Sequence, residues 1–408
     1  MPSVQILLPL ALILVAARVA GKLSQRLGMP AVLGELLAGV VLGPSLLGLI
    51  HMNEILAAVA EIGVLLLMFI AGLETDLEQM RRVGKPSLIA AASGVVFPFA
   101  GGLLVGELFG LGLSSSLFLA AVLTATSVSI SAQTLHELGR LRSKEGLITL
   151  GAAIIDDVLG ILVLSIVLSL SGEGGSPGWA ILRLVLFFPI AILVGMVVLR
   201  PLVRWINEHH AREAGFALIM ALVLIYAWAA ESLGGLAAIT GAYLAGILLG
   251  RIAGAKDWVV DGASFLGYGL FVPVFFVTVG LQADVRAIGV APALAVVVIV
   301  VAIVTKAFGA GLGARLGGCT WPQCRAVGAG MIARGEVALV MATLGLTSGL
   351  LNDTTYTVVI LMTLATTLAT PLLLKLVIPG PIIAPSIASS TALTPILPLH
   401  ENAEANSF

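Results

Sequence analysis

The feature that most constrains this chain is a series of apolar segments, each close to the length that a helix needs to cross a lipid bilayer. Cutting the sequence at clusters of charged residues, glycine and proline gives thirteen segments, numbered here as spans 1 to 13. They are Val4–Leu23, Pro30–Leu49, Glu54–Leu73, Pro86–Leu108, Ser115–Leu138, Leu147–Leu170, Trp179–Leu199, Ala214–Glu231, Leu236–Gly250, Gly262–Leu281, Ile288–Leu316, Pro322–Leu346 and Tyr356–Val377. Charged residues make up only 11% of the chain, against about a quarter of a soluble domain. The sequence therefore predicts an all-α polytopic membrane protein with about 13 transmembrane helices.

The lysine and arginine residues predict how these spans cross the membrane. Seventeen of the 21 lie on the side that the chain reaches after odd-numbered spans. Arg183 and Arg286 lie on the other side, and Lys306 and Arg334 fall inside spans. Because short cytoplasmic loops carry an excess of basic residues, we expect a multi-pass protein of the inner (plasma) membrane. Its N-terminus is expected outside and its C-terminus in the cytoplasm.

The composition also bounds the domains and partners. Residues 1–378 are predicted to form one transmembrane domain, and residues 379–408, rich in proline, serine, alanine and threonine, a disordered cytoplasmic tail. Cys319 and Cys324 are too few for a disulfide framework and have no nearby histidines to complete a metal site. No feature indicates a nucleic-acid partner or a resident cofactor, and the lipid bilayer is the expected environment of this domain.

Two adjacent carboxylates, Asp156 and Asp157, interrupt span 6 near the middle of the membrane. Since a helix rises 1.5 Å per residue, Asp157 lies roughly 15 Å from the start of this span. An ionised side chain at that depth costs several kcal/mol, and such residues usually mark an ion path or a proton relay. Adjacent side chains on a helix point about 100° apart. We therefore predict that one carboxylate lines an ion site while the other faces a neighbouring helix.

Span 5 contains a dense run of hydroxyl groups in the segment TATSVSIS. These hydroxyls belong to Thr124, Thr126, Ser127, Ser129 and Ser131. Hydroxyls and the backbone carbonyls of an unwound segment are the oxygen donors that a dehydrated alkali cation needs, although serine and threonine also form ordinary hydrogen bonds between helices. Beside the two aspartates, the run favours cation coordination.

Spans 11 and 12 carry the remaining buried charges. Arg334 and Glu336 lie in the glycine-rich segment GAGMIARGEVALV (328–340), where opposed charges are expected to neutralise the ends of a broken helix. A structural Arg–Glu pair with no part in transport remains an alternative. Lys306 lies too deep in span 11 to reach the membrane surface, and it is the one buried lysine available to the second carboxylate.

Spans 5 and 12 also suggest an internal symmetry. They are seven spans apart, so they cross the membrane in opposite directions, and spans 4–6 and 11–13 are candidates for an inverted repeat. Interrupted helices at matching positions of two such halves mark the binding site of many transporters. Because two close carboxylates titrate as a coupled unit, protons and a cation would compete for the same oxygens, as an antiporter requires.

At these residues the chain resembles the bacterial NapA-type sodium/proton antiporters, in the second branch of the monovalent cation:proton antiporter superfamily. The resemblance extends over residues 4–377 and rests on seven matching elements. They are GELLAGVVLGPSLLG (34–48), EIGVLLLMFIAGLETDL (61–77), TATSVSISA (124–132), LGAAIIDDVLGI (150–161), FVPVFFVTVGL (271–281), Lys306 and ARGEVALV (333–340).

The resemblance implies an inverted-repeat antiporter fold in which spans 5 and 12 are two crossing broken helices. It implies a core domain of residues 86–170 and 288–378, and a scaffold of residues 4–49 and 179–250 that forms a homodimer. Cytoplasmic Na⁺ or Li⁺ would be exchanged for external H⁺ by an elevator-like motion that alternates access, which serves pH homeostasis.

For the site, the resemblance implies that Asp157 binds Na⁺ while Asp156 pairs with Lys306. In that family, two aspartates with this lysine accompany electrogenic exchange of two protons for one cation. The hydroxyls of Thr126, Ser127, Ser129 and Ser131 are the further predicted ligands.

Three other functions are weighed against this interpretation. A K⁺/H⁺ antiporter of the same fold stays open, because carboxylate and hydroxyl oxygens do not reveal the size of the ion cavity. A cation channel also stays open, since no residue pattern separates a slow carrier from a leak. An intramembrane aspartyl protease is excluded, because it needs two aspartates from different helices whereas Asp156 and Asp157 are adjacent. We therefore expect a transporter and not an enzyme.

Overall fold

The computed structural model describes residues 6–44, 46–75, 77–170, 177–209, 212–252, 256–282 and 291–378. These residues form helices and short connections, and no strand occurs among them. Ten helices are long and apolar enough to cross a membrane, and shorter apolar helices accompany them. The predicted all-α polytopic architecture is therefore confirmed, while the tail predicted at 379–408 lies outside the described residues.

The described chain contains seventeen α-helices. They are α1 (Leu7–Arg26), α2 (Ala31–Leu42), α3 (Glu54–Glu74), α4 (Leu77–Arg82), α5 (Gly84–Leu108), α6 (Leu113–Thr124), α7 (Val128–Glu137), α8 (Lys144–Leu170), α9 (Pro177–His209), α10 (Arg212–Ala229), α11 (Ala238–Gly250), α12 (Lys256–Leu266), α13 (Val272–Leu281), α14 (Pro292–Leu316), α15 (Trp321–Gly330), α16 (Glu336–Thr347) and α17 (Asp353–Val377). Two π-helical turns, Ala230–Gly234 and Gly267–Phe271, extend α10 and join α12 to α13.

Each predicted span corresponds to one helix or to two consecutive helices. Spans 5, 10 and 12 are each built from two helices, namely α6 with α7, α12 with α13, and α15 with α16. Span 2 is shorter than predicted, because α2 ends at Leu42 after 12 residues. Pro44 follows directly after Gly43, and a proline disfavours helical geometry in the residue before it. At 1.5 Å per residue, α2 by itself is too short to cross the hydrocarbon core.

The helices pack as two bundles. In the first, called the site bundle, α14 packs extensively against α5, α5 also contacts α6 and α8, and α15 and α17 pack on α14. In the second, called the flank bundle, α3 packs on α11 and α13, α2 packs on α1 and α13, and α10 packs on α11. The long helix α9 contacts α8 on one side and α10 and α11 on the other, so it joins the two bundles.

Glycine allows the closest approach within the flank bundle. A Cβ atom at Gly39 of α2 would collide with the backbone oxygen of Val277 on α13, and one at Gly280 of α13 would collide with the backbone oxygen of Leu36 on α2. The two helices therefore touch through their backbones, as small residues allow between membrane helices. This contact packs α2 tightly against α13, and α13 lines the cavity through Phe275 and Thr278.

Candidate cation and proton site

The site is built around two helices that break where they cross. The first break separates α6 from α7, where Ala125 and Ser127 adopt extended backbone angles. The second separates α15 from α16. The Ser127 N–H donates to Ala333 O at 2.8 Å, and the Ser131 hydroxyl donates to Gly330 O. The two unwound segments thus satisfy part of each other's backbone hydrogen bonding, which is required at membrane depth.

Two buried cations lie at the C-terminal end of α6. Arg334 Nη2 donates to Leu123 O at 2.6 Å, and Lys306 Nζ donates to Thr124 O at 2.6 Å. The last carbonyls of a helix lack partners within it and form the negative end of its dipole, so these two cations stabilise the break. Arg334 Nη1 also donates to Ile332 O at 2.8 Å, inside the second break. The side chain of Glu336, predicted to share this role, lies outside the described residues.

Asp156 and Lys306 form an ion pair between α8 and α14. Lys306 Nζ lies 2.8 Å from Asp156 Oδ1, with both side chains almost wholly inaccessible to solvent. Two charges removed from water are stable only when they are paired and hydrogen-bonded, and Lys306 meets this condition through Asp156 and the Thr124 carbonyl. The pair therefore holds α6, α8 and α14 together at one point.

Asp157 points to a different helix. Its Oδ2 atom accepts a hydrogen bond of 2.9 Å from the hydroxyl of Thr240 on α11, in the flank bundle. The adjacent aspartates of α8 therefore contact different helices, in agreement with the offset of about 100° between consecutive helical residues. Thr240 was not among the predicted site residues. Its sequence signal is weak, because it is a single hydroxyl in the apolar segment AITGAYLAG (238–246).

The four predicted hydroxyl ligands are buried, but they differ in their hydrogen bonds. The Ser127 and Ser129 hydroxyls lie 3.0 Å apart and bond to each other, and Ser131 is bonded to Gly330. Thr126 Oγ1, by contrast, has no hydrogen-bond partner within the part of the chain that the structure describes. A buried hydroxyl without a partner is energetically costly, and among the four predicted hydroxyls Thr126 is the one in this position within the described residues.

A cavity of about 470 Å³ leads to the two aspartates. Asp156 and Asp157 line it, together with Ala125 and Gly335 of the two breaks. None of the four predicted hydroxyl side chains is among its described lining residues. At the other end, the cavity mouth is formed by three exposed polar side chains, Glu61, Glu231 and Gln282. The cavity therefore reaches the two adjacent carboxylates from one side of the protein.

The opposite end of the interface between the bundles, called the sealed end, is closed by polar contacts. The Glu137 carboxylate at the end of α7 accepts from the Ala31 N–H, from the Val32 N–H at 3.3 Å and from Gln133 Nε2 at 2.9 Å. It thereby caps α2, which begins after Pro30 with no side-chain cap of its own.

Aromatic and charged side chains complete the sealed end. The His136 ring stacks on the Tyr268 ring with centroids 5.3 Å apart, and His136 Nε2 lies 3.8 Å from Glu74 Oε1. Arg142 Nε also lies 3.8 Å from Glu74 Oε2. These contacts, which the sequence pattern does not reveal, join α7 and its following loop to α3 and to the α12–α13 segment.

Comparison with known proteins shows that antiporters of other organisms have similar sequences. The probable Na⁺/H⁺ antiporter GerT of Bacillus cereus is 40% identical over 353 residues, which cover 86% of this chain and 94% of GerT. The Na⁺/H⁺–K⁺ antiporter GerN of the same species is 39% identical, with 87% and 92% covered.

A solved structure shares the fold at much lower sequence identity. The sodium proton antiporter MjNhaP1 from Methanocaldococcus jannaschii aligns with a TM-score of 0.71 at 18% identity, covering 92% of this chain and 97% of that one. The family model described as "sodium/hydrogen exchanger, transmembrane" matches residues 10–378. This chain is therefore a multi-pass membrane protein that belongs to the sodium/hydrogen exchanger family of transporters.

Proposed function

We propose that this protein is a secondary active transporter that exchanges Na⁺, or Li⁺, for H⁺. The observation that carries the proposal is the placement of Asp157 beside the buried Asp156–Lys306 pair, at the inner end of a cavity and at the crossing of two broken helices. Membership of the sodium/hydrogen exchanger family supports the same ions. In the cell, cytoplasmic Na⁺ would leave while external protons enter.

Asp157 is the group for which cation and proton compete in this proposal. A bare carboxylate provides oxygens for Na⁺, and protonation removes the charge that attracts it, so only one of the two can occupy the group at a time. The Thr126 hydroxyl, which has no hydrogen-bond partner among the described residues, is proposed as a further ligand, with Ser127, Ser129 and Ser131 shaping the unwound segment around it.

The Asp156–Lys306 pair supplies the second proton. When Lys306 is charged, it holds Asp156 at 2.8 Å, and loss or gain of a proton by the pair would accompany the titration of Asp157. Two protons entering for one Na⁺ leaving move one net charge inward, which is worth about 2.3 kcal/mol per 100 mV of membrane potential. The exchange is therefore proposed to be electrogenic.

Alternating access is proposed to come from movement of the core domain, residues 86–170 and 288–378, against a scaffold that includes residues 4–49 and 179–250 and forms a homodimer. The cavity mouth lies at the ends of spans that the basic residues assign to the outside, with the C-terminus in the cytoplasm. The structure would then represent the arrangement that is open to the outside.

Purified protein in proteoliposomes with an imposed pH gradient tests the proposal. Addition of Na⁺ or Li⁺ is expected to collapse the gradient, and an imposed membrane potential is expected to change the rate. An exchange rate that does not change with the membrane potential contradicts electrogenic transport. A proton flux without any counter-cation indicates a channel.

K⁺ is a second candidate ion, because the 39% identical relative GerN is named a Na⁺/H⁺–K⁺ antiporter. A K⁺ series in the same proteoliposomes decides this point. K⁺ that collapses the pH gradient at a lower concentration than Na⁺ reverses the proposed preference.

A further inference from the structure

We propose that Thr240 is a positioning residue for ion exchange. In the arrangement with the open cavity, its hydroxyl holds Oδ2 of Asp157 against the flank bundle and thereby fixes the orientation of the carboxylate for the arriving ion. The inference rests on the proposed function of Asp157. It assigns to α11, a helix outside the site bundle, a part in ion binding that acts through Asp157.

The geometry of the contact is specific. Thr240 and Asp157 are 4% and 8% exposed, and the hydroxyl oxygen lies 2.9 Å from Oδ2. A hydrogen bond to an ionised acceptor is roughly twice as strong as one between neutral groups. A threonine side chain also has restricted rotation about its first torsion angle. The hydroxyl is therefore fixed in place before an ion arrives.

Thr240 also differs from three other buried threonines in this protein, Thr124, Thr278 and Thr363. Thr124 and Thr278 each donate to a carbonyl three residues earlier, and Thr363 donates to one four residues earlier. Such bonds satisfy the hydroxyl within its own helix. Thr240 lies in the first turn of α11, and its hydroxyl donates to a carboxylate of the other bundle instead.

The contact links ion binding to the relative position of the two bundles. Asp157 belongs to α8 of the site bundle, whereas Thr240 belongs to α11 of the flank bundle. If one bundle slides along the other, this hydrogen bond has to break in every cycle. Thr240 therefore orients Asp157 for ions that arrive through the cavity and has no such effect on ions that arrive from the sealed end.

The test compares three variants. Thr240→Val removes the hydroxyl and keeps the shape of the side chain, while Thr240→Ser keeps the hydroxyl. Thr278→Val is the matched control, because Thr278 is a buried threonine that lines the same cavity and whose hydroxyl donates only to Phe275 O among the described hydrogen bonds. Thermal unfolding of each purified variant establishes that it is folded.

The measurement is the half-saturating Na⁺ concentration in oriented proteoliposomes, determined separately from the cavity side and from the sealed side. Thr240→Val is expected to raise the value on the cavity side roughly tenfold, the ratio that corresponds to one hydrogen bond to a charged group. The value on the sealed side and the maximal rate stay near those of the wild type. Thr240→Ser and Thr278→Val behave as the wild type. If Thr240→Val does not fold, Thr240→Ala carries the same expectation.

Three results overturn the inference: an unchanged value on the cavity side, an equal rise on both sides, or the same rise in Thr278→Val. A failure of the proposed function looks different. In that case the wild type shows no cation-dependent proton movement, or Asp157→Asn retains it. Suppose that the wild type exchanges normally, Asp157→Asn abolishes exchange and Thr240→Val has an unchanged half-saturating Na⁺ concentration. The proposed function then stands, and only the role of Thr240 is contradicted.

Discussion

The two ends of the interface between the bundles differ in what holds them. At the cavity end, the described contact between Asp157 and the flank bundle is one hydrogen bond, from Thr240, beside a space of about 470 Å³. At the sealed end, Glu137 caps α2 and His136 stacks on Tyr268. Among the described residues, the cavity end thus has an open space beside the Thr240–Asp157 contact, whereas several polar and aromatic contacts close the sealed end. An exchanger must reverse this difference to release an ion on the other side.

The largest expected effect comes from the charge at the inner end of the cavity. Asp157→Asn keeps the size of the side chain and removes the carboxylate, so neither Na⁺ nor a proton can bind there in exchange. We expect loss of all Na⁺-dependent proton movement in proteoliposomes. Asp261→Asn is a suitable control, since Asp261 is an exposed aspartate on α12. Exchange retained in Asp157→Asn would move the ion site away from the cavity end.

A second large effect is expected where the cavity end is anchored within the site bundle. Lys306→Ala leaves the Asp156 carboxylate buried without its partner, and breaking such a buried pair costs about 3–5 kcal/mol. The midpoint of thermal unfolding should fall clearly. The double variant Asp156→Asn with Lys306→Ala should recover most of that loss, because no charge then remains unpaired.

The same variants sharpen the proposed stoichiometry. If the Asp156–Lys306 pair carries the second proton, Lys306→Ala that still transports should exchange one proton for one cation. Its rate in proteoliposomes should then be independent of the imposed membrane potential. If the Lys306→Ala variant transports and its rate still depends on the membrane potential as in the wild type, the Asp156–Lys306 pair does not carry the second proton.

An intermediate effect is expected at the sealed end. Glu137→Gln removes one of the two carboxylate oxygens that accept from the Ala31 and Val32 N–H groups, and a buried donor left without its acceptor costs about 1–3 kcal/mol. The sealed end should open more often, so the half-saturating Na⁺ concentration measured from that side should fall roughly tenfold. Thr240→Val, by contrast, is expected to raise the half-saturating Na⁺ concentration, and only on the cavity side.

Glu78→Gln is the matched control for this prediction. Glu78 is an exposed glutamate on α4 that pairs with Arg82 four residues on, and an exposed pair of this kind contributes little to stability. It should leave both half-saturating concentrations unchanged. A Glu137→Gln protein that matches this control would mean that the sealed end is not held by the cap on α2.

The sequence predicts the helices and their breaks, but it does not predict the contacts between the two bundles. The length of the apolar spans and the placement of basic residues predict the helical architecture. Each of these features can be read from a short stretch of sequence, because the bilayer sets the length of a span and the charge of the adjoining loops. The break between α6 and α7 is also local, since hydroxyls and extended geometry occur within TATSVSIS (124–131). A contact such as Thr240 with Asp157, 83 residues apart, depends on how two bundles pack and has no local signal.

Glu137 illustrates the same limit at the sealed end. An acid at the end of an apolar helix is ordinarily interfacial, and its role as a cap becomes visible only when α2 lies beside it, 106 residues away in sequence. The short α2 is a related case, where Gly43 and Pro44 could have indicated the early end of the helix. Charge type and helix breakers are therefore readable from the sequence, whereas the partners of buried polar groups are not.

The smallest expected effect lies at the cavity mouth and depends on salt. Glu61 and Glu231 are exposed acids that line this mouth, so they attract cations without binding one tightly. Glu61→Gln combined with Glu231→Gln should raise the half-saturating Na⁺ concentration from the cavity side about twofold at low ionic strength. At high ionic strength, maintained with a large organic cation, the difference should vanish because exposed charges are screened within about 10 Å at 0.1 M salt. A difference that persists at high salt would place a direct ion ligand at the mouth, and the path from mouth to Asp157 would then contain two binding steps.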